Sequence, residues 1–202
     1  MTVDHGQVDT DGELFRLSVA QYHAMRDAGI LDEDDRVELL DGLLVPKLTK
    51  HPPHSQSTWL VRAALERVAP ADHFVNSRDA ITTADSEPEP DVLLVRGSIR
   101  DYADRHPGPS EVSLIVEIAD TTLRRDRGVK RKIYARAGIE HYWIVDLNAR
   151  VVLSFSEPAG SRFATEDTYA DGSEIPLVMG GIEIARIPVA SLLPVRPGGG
   201  SQ

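Results

Sequence analysis

The chain contains no cysteine. Disulfides, thiolate metal sites and cysteine nucleophiles are therefore excluded, and a reducing cytoplasm suits the composition. No apolar run approaches the roughly 20 residues that span a bilayer, so no membrane partner is expected. The N-terminal stretch MTVDHGQVDTDGELF is polar and acidic, unlike a signal peptide. There is no glycine-rich phosphate loop: Gly180-Gly181 and the tail hold the Gly-Gly pairs, and neither opens a strand–helix unit. The histidines at 51, 54, 73, 106 and 141 match no zinc spacing, and no nucleophile-elbow pattern occurs.

Positive charge is also scarce, since 22 lysines and arginines face 32 acids for a net charge of −10. A general nucleic-acid binder would be basic. The distribution, however, is uneven. Arg124, Arg125, Arg127, Lys130, Arg131, Lys132 and Arg136 lie within 13 residues against one acid, Asp126. Such a patch on an acidic body can meet a phosphate backbone locally, or it can be a solvated helix face.

The length of 202 residues suits one domain with a full core. Residues 1–13 read as disordered, 14–192 as one domain, and 193–202 as a flexible tail. A helix is expected from Ser18 as N-cap to Ala28, stopped by Gly29. Arg36–Leu48 reads as a hairpin turning at Asp41-Gly42. His51-Pro52-Pro53 reads as a break before an amphipathic helix, Ser55–Val68. Strands are expected at Phe74–Ile81 and Asp91–Val95, the second approached by the stiff segment Glu87-Pro88-Glu89-Pro90. Val112–Ile118 is apolar enough to be buried on both faces. A helix over Asp126–Ala137 follows, then a hairpin of Glu140–Asp146 and Arg150–Phe155, and short β-like pieces over 162–188. This order predicts an α/β or mixed α+β domain with a mixed sheet.

Three acids fall on these strands: Glu38, Asp91 and Glu117. A lone acid in an apolar strand is costly to bury unless it is paired or metal-bound. Asp91 opens one strand and Glu117 nearly closes the next. If the two strands pair, their carboxylates converge at one sheet edge. Two hard oxygen ligands suit Mg²⁺ or Mn²⁺ with a substrate phosphate. Each acid alone would equally fit a strand-end salt bridge or cap.

Asp126, Lys130 and Tyr134 stand at i, i+4 and i+8, on one helical ridge. Val129, Ile133 and Ala137 form the neighbouring ridge that packs on the sheet. Lys130 then lies at the margin of the buried face, within reach of the carboxylates, where it can orient a water or stabilise charge on an attacked phosphodiester. Arg131, Lys132 and Arg136 face outward. Asp126 also fits a helix N-cap, Tyr134 a core tyrosine with its hydroxyl bonded, and His54 a capping or surface residue as well as a metal or phosphate contact.

Pro90-Asp91, Glu117-Ile118-Ala119 and a following lysine resemble the PD-(D/E)XK nuclease superfamily. More narrowly, RVELLDG at 36–42, the His54 region, EPDVLLV at 89–95 and VEIADTTLRRDRGVKRKIYARAGIEHYWIVDL at 116–147 resemble the Uma-two family of putative restriction endonucleases. The resemblance runs from Leu17 to Phe155. It implies a restriction-endonuclease-like core, a central mixed sheet flanked by helices, and metal-dependent hydrolysis of DNA, with Asp91 and Glu117 as ligands for Mg²⁺ or Mn²⁺. It also implies Glu38 as a third carboxylate. The superfamily lysine stands two residues after the second acid, where this chain has Ala119; the Uma-two pattern carries it on the next helix, which maps to Lys130. The expected function is a metal-dependent endodeoxyribonuclease, with Arg124, Arg125, Arg127 and Arg131 gripping phosphates. His54, Asp126 and Tyr134 are accessory candidates, and a homodimer would supply two sites for two strands. The competing expectations are a catalytically silent nucleic-acid-binding or assembly module and a hydrolase of another phosphoester.

Overall fold

The centre of the computed structural model, which describes residues 14–195, is a six-stranded mixed sheet. The expected disorder of 1–13 and most of the expected tail lie outside the described residues. Helix α1 (Val19–Asp27) begins at the Ser18 N-cap. The hairpin of β1 (Val37–Leu40) and β2 (Leu43–Pro46) turns at Asp41 and Gly42, both with positive φ. Asp-Gly adopts that turn readily. Gly42 is further constrained, because a Cβ there would come within 2.6 Å of the Arg16 Cβ.

Helix α2 spans Pro52–Val68. It starts three residues earlier than expected. Pro52 and Pro53 occupy its first positions, where a missing N–H costs nothing and a fixed φ is already helical. Strand β3 (His73–Ser77) is shorter than expected because Arg78 takes a left-handed conformation, φ 59°, and ends it. Then come β4 (Val92–Arg96) and β5 (Val112–Ala119).

A helical segment joins β5 to β6 (His141–Asp146). It has three parts: α3 (Leu123–Arg125), a π-helical turn (Asp126–Lys130) and α4 (Arg131–Arg136). In the π-helical part the Arg131 N–H reaches back to the Asp126 carbonyl. Such turns are rare and concentrate at functional sites. The helix therefore begins before Asp126, and Asp126 is buried inside it rather than capping it.

The chain continues through β7 (Val151–Ala159), β8 (Arg162–Ala170), β9 (Glu174–Met179) and β10 (Ile182–Pro188). The sheet order is β3-β4-β5-β6-β7-β8. β5 and β6 are parallel, as a strand–helix–strand crossover requires, and the other neighbours are antiparallel. β1-β2 and β9-β10 are separate two-stranded ribbons.

Alternation along β4, β5 and β6 sorts their side chains into two layers. Leu94, Leu114, Val116, Ile118, Trp143 and Val145 pack with Val61 and Leu65 of α2 and Ile175 and Leu177 of β9. Leu93, Ile115, Tyr142 and Ile144 pack on the other face with Ile133 and Tyr134 of α4. Asp91 and Glu117 share the parity of that second set. Among the described residues no helix is long and apolar enough to cross a membrane.

Candidate active site

The β4–β5 register pairs Val92 with Val116. Asp91 and Glu117, one step outward on each strand, therefore face each other on the same side of the sheet. The Asp91 Oδ2 accepts from the Ile118 N–H at 2.9 Å, which fixes the carboxylate against β5. Glu38 reaches the same place from β1, where its Oε2 accepts from the Glu89 N–H at 3.1 Å. These acids are 4% exposed, and Asp126 and Lys130 are 2% and 5% exposed. The predicted acids, Lys130, His54 and Asp126 line one cavity of about 60 Å³.

Burying this much charge is tolerable only with partners in hydrogen-bonding range. Lys130 Nζ donates to Glu117 Oε1 at 2.9 Å and lies 3.2 Å from Glu38 Oε2. The Tyr134 hydroxyl donates to the same Glu117 oxygen at 2.8 Å. Lys130 thus sits deeper than the margin expected from ideal helical phasing. The 126–130–134 ridge points straight at the carboxylates, while Val129 and Ala137 are only half-buried. His54 Nε2 lies 3.1 Å from Asp91 Oδ2, so its reading as a surface residue does not hold.

Three participants were not anticipated. Lys50 Nζ donates to Asp91 Oδ1 at 2.7 Å. Lys47 pairs with Glu89, and both line the cavity. Lys47 and Lys50 sit in an irregular approach to α2, and no periodicity marks them. Glu89 was visible only as part of a stiff segment.

The two central carboxyls have opposite tendencies. Burial opposes charge on Asp91, but the His54 hydrogen bond and the Lys50 ammonium hold its carboxyl well below the usual range. Burial pushes Glu117 up to about 8; Lys130 pulls it down, and Asp126, Asp91 and Glu38 push it further up. Burial likewise pushes Asp126 up to about 6, against the pull of Lys130. For Lys130 itself burial would favour the neutral amine, but Glu117, Glu38 and Asp126 hold the ammonium well above its ordinary range. Pairs of carboxyls driven apart in this way are typical of acid–base and metal sites.

The donor set fits a hard divalent cation. It is made of carboxylates, without thiolate. Six of them (Glu38, Glu89, Asp91, Glu117, Asp120 and Asp126) line the cavity against four cations, Lys47, Lys50, Arg125 and Lys130. One buried oxygen, Asp126 Oδ2, has no hydrogen-bond partner among the described residues. No three histidine, aspartate or glutamate side chains among the described residues close around one point. Internal ammonium groups hold Asp91 and Glu117 instead.

The arginines expected to grip phosphates are mostly engaged by the protein. Arg125 donates to the Pro46 carbonyl at 3.0 Å and lies 3.6 Å from Glu38. Arg127 and Arg131 both pair with Glu166 on β8. Arg131 also stacks over Phe155 at 5.3 Å, so it is half-buried rather than outward-facing. Arg124 is exposed, with no ion-pair partner among the described side chains.

The model of the Uma2 family, described as "Putative restriction endonuclease", matches residues 19–190. The fold is similar to the crystal structure of a putative nuclease belonging to DUF820 from Anabaena variabilis. The TM-score is 0.67 at 12% identity, covering 87% of this chain and 97% of that one. At that identity the likeness carries the fold alone. No curated protein matches the chain.

Proposed function

The chain belongs to the Uma2 family, and on that premise we propose that it is a metal-dependent endodeoxyribonuclease of the PD-(D/E)XK type. The observation that carries this reading is the pairing of Asp91 and Glu117 across β4 and β5, with Lys130 beside them in one cavity. Asp91 and Glu117 would hold Mg²⁺ or Mn²⁺, with Glu38 or Asp126 as a further oxygen donor. When bound, such an ion polarises the phosphoryl oxygen and lowers the pKa of its water.

The chain's own groups divide the remaining work. His54 and the Ile118 N–H hold the Asp91 carboxylate in place. Tyr134 and Lys130 orient Glu117. Lys130, locked as an ammonium by three acids, offers positive charge to the phosphoryl oxygens as negative charge builds on them. In this reading Lys130 takes the role of the strand lysine of the superfamily pattern, reaching Glu117 from the helix. Its burial and rigid pairing mean that little reorganisation is needed when charge develops.

The test is nicking of plasmid DNA with Mg²⁺ or Mn²⁺ by the wild-type protein beside Asp91→Ala and Glu117→Ala. The expected result is a loss on the order of 10³-fold in each variant, as when a main electrostatic element of a site is removed. Equal nicking by all three proteins would refute the assignment.

A further inference from the structure

A second cavity, of about 1130 Å³, lies beside the first and shares two wall residues with it, Lys47 and Glu89. It exceeds the ~300–1,000 Å³ typical of small-molecule pockets. Two arginines in its wall, Arg36 and Arg78, are exposed and have no ion-pair partner among the described side chains. Both have left-handed backbones, with φ of 46° and 59°. Arginine adopts that conformation at an energetic disadvantage, and strain of this sort gathers where function requires it.

Each arginine is also tied to the site by its backbone. The Arg78 N–H donates to the carbonyl of Asp91 at 3.3 Å. The Arg36 carbonyl accepts from the Lys47 N–H at 2.7 Å, two residues before Glu38. Asp79 and Glu87 in the same wall are already engaged, by His106 at 2.9 Å and His23 at 2.6 Å. Asp27, Asp32 and Asp104 keep the rim from being uniformly positive, so any grip on an anion is local to the two free guanidinium groups.

We infer that this cavity is a subsite for the phosphodiester backbone of the nucleic-acid strand flanking the scissile bond, with Arg36 and Arg78 as its phosphate contacts. The inference rests on the nuclease reading and adds a strand path to it. Guanidinium forks match phosphate oxygens in geometry and charge. A strand leaving the carboxylate site would cross the Lys47–Glu89 pair to enter this cavity.

The experiment is a salt titration of DNA binding, followed by fluorescence anisotropy with a short labelled duplex in EDTA. Wild type is compared with the double variant Arg36→Gly/Arg78→Gly and with Arg67→Ala, which removes an exposed cation at the far end of α2. Glycine accepts positive φ freely, so the double variant should melt no lower than wild type. Each lost phosphate contact weakens binding about eightfold at ~0.1 M salt, and the pair on the order of 60-fold. The slope of log K against log salt should fall by about 2, and Arg67→Ala should match wild type.

An unchanged affinity and slope in the double variant would overturn the subsite. So would an equal loss in Arg67→Ala, which would mean bulk charge and no defined path. Hydrolysis of a small phosphodiester by the wild-type protein with Mn²⁺ reports on the catalytic reading separately. If that fails while binding still depends on the two arginines, the strand path stands and the chemistry falls. If the wild type binds no DNA at any salt, both fall together.

Discussion

The two faces of β4, β5 and β6 are built from the same strands, offset by one residue, yet they are held together differently. On one face, Leu94, Leu114, Val116, Ile118, Trp143 and Val145 form a continuous apolar layer under α2 and β9. On the other, Leu93, Ile115, Tyr142 and Ile144 begin an equivalent layer, which gives way at the strand ends to Asp91, Glu117, Glu38, Asp126 and Lys130. Apolar burial is roughly additive and tolerant, because each side chain contributes through the area it removes from water. A buried charge cluster is neither. Each member is stable only while its partners remain, so one deletion leaves the others exposed to the full desolvation cost. The first face supplies stability, and the second spends some of it on a site.

The sharpest way to break this comparison is to remove the ammonium. Lys130→Met keeps an unbranched stem but removes the ammonium that lies between Glu117 and Glu38. Cleavage should fall on the order of 10²–10³-fold. Stability in guanidinium melts should fall by about 3 kcal/mol, the lower end for a broken buried pair, because Glu117 can take up a proton. Lys132→Ala, two residues along and exposed, should shift stability by less than ~0.5 kcal/mol and leave cleavage intact. If Lys132 proved the more important lysine, the assignment of the helix faces would be wrong.

On the apolar face, Leu114→Ala should cost roughly 3 kcal/mol of stability by leaving a cavity. Its rate of cleavage per folded molecule should equal that of wild type in single-turnover kinetics. A selective loss of rate would mean that the two faces are not separable.

A small effect, visible only through its pH dependence, is expected away from both faces. Arg105 donates two hydrogen bonds to Glu111, at 2.7 and 2.8 Å, and the Gly108 N–H adds a third at 2.8 Å. These hold the Glu111 carboxyl down to about 2. A depressed carboxyl stabilises the fold above its ordinary pKa and loses that effect as pH falls through the folded value. Glu111→Gln should therefore lower Tm only slightly at neutral pH, because solvent screens so accessible a pair. The gap from wild type should close as pH approaches 2.

Much of this architecture was legible in the sequence. Asp41-Gly42 marked the hairpin, the unbroken apolar run of β5 marked the central strand, and the basic segment between two apolar runs marked the crossover helix. Asp91, Glu117 and Glu38 stood out because acids rarely interrupt such strands. The hidden parts have physical reasons. Proline reads as a break, yet Pro52 and Pro53 begin α2, because the first helical turn does not use their missing N–H groups. The π-helical turn leaves no mark in periodicity, so Asp126 and Lys130 were placed too near the surface. Lys50 acts from an irregular segment. Glu166 engages Arg127 and Arg131 only because β8 closes the sheet beside the helix, and a strand order of that kind is not written in any local pattern.

Whether Asp91 and Glu117 share one cation is tested directly by anomalous diffraction from crystals soaked in Mn²⁺. The predicted result is a manganese peak bonded to oxygens of both carboxylates, with Lys50 displaced from Asp91. A peak elsewhere, or none while Lys50 and Lys130 keep their present hydrogen bonds to Asp91 and Glu117, would contradict it.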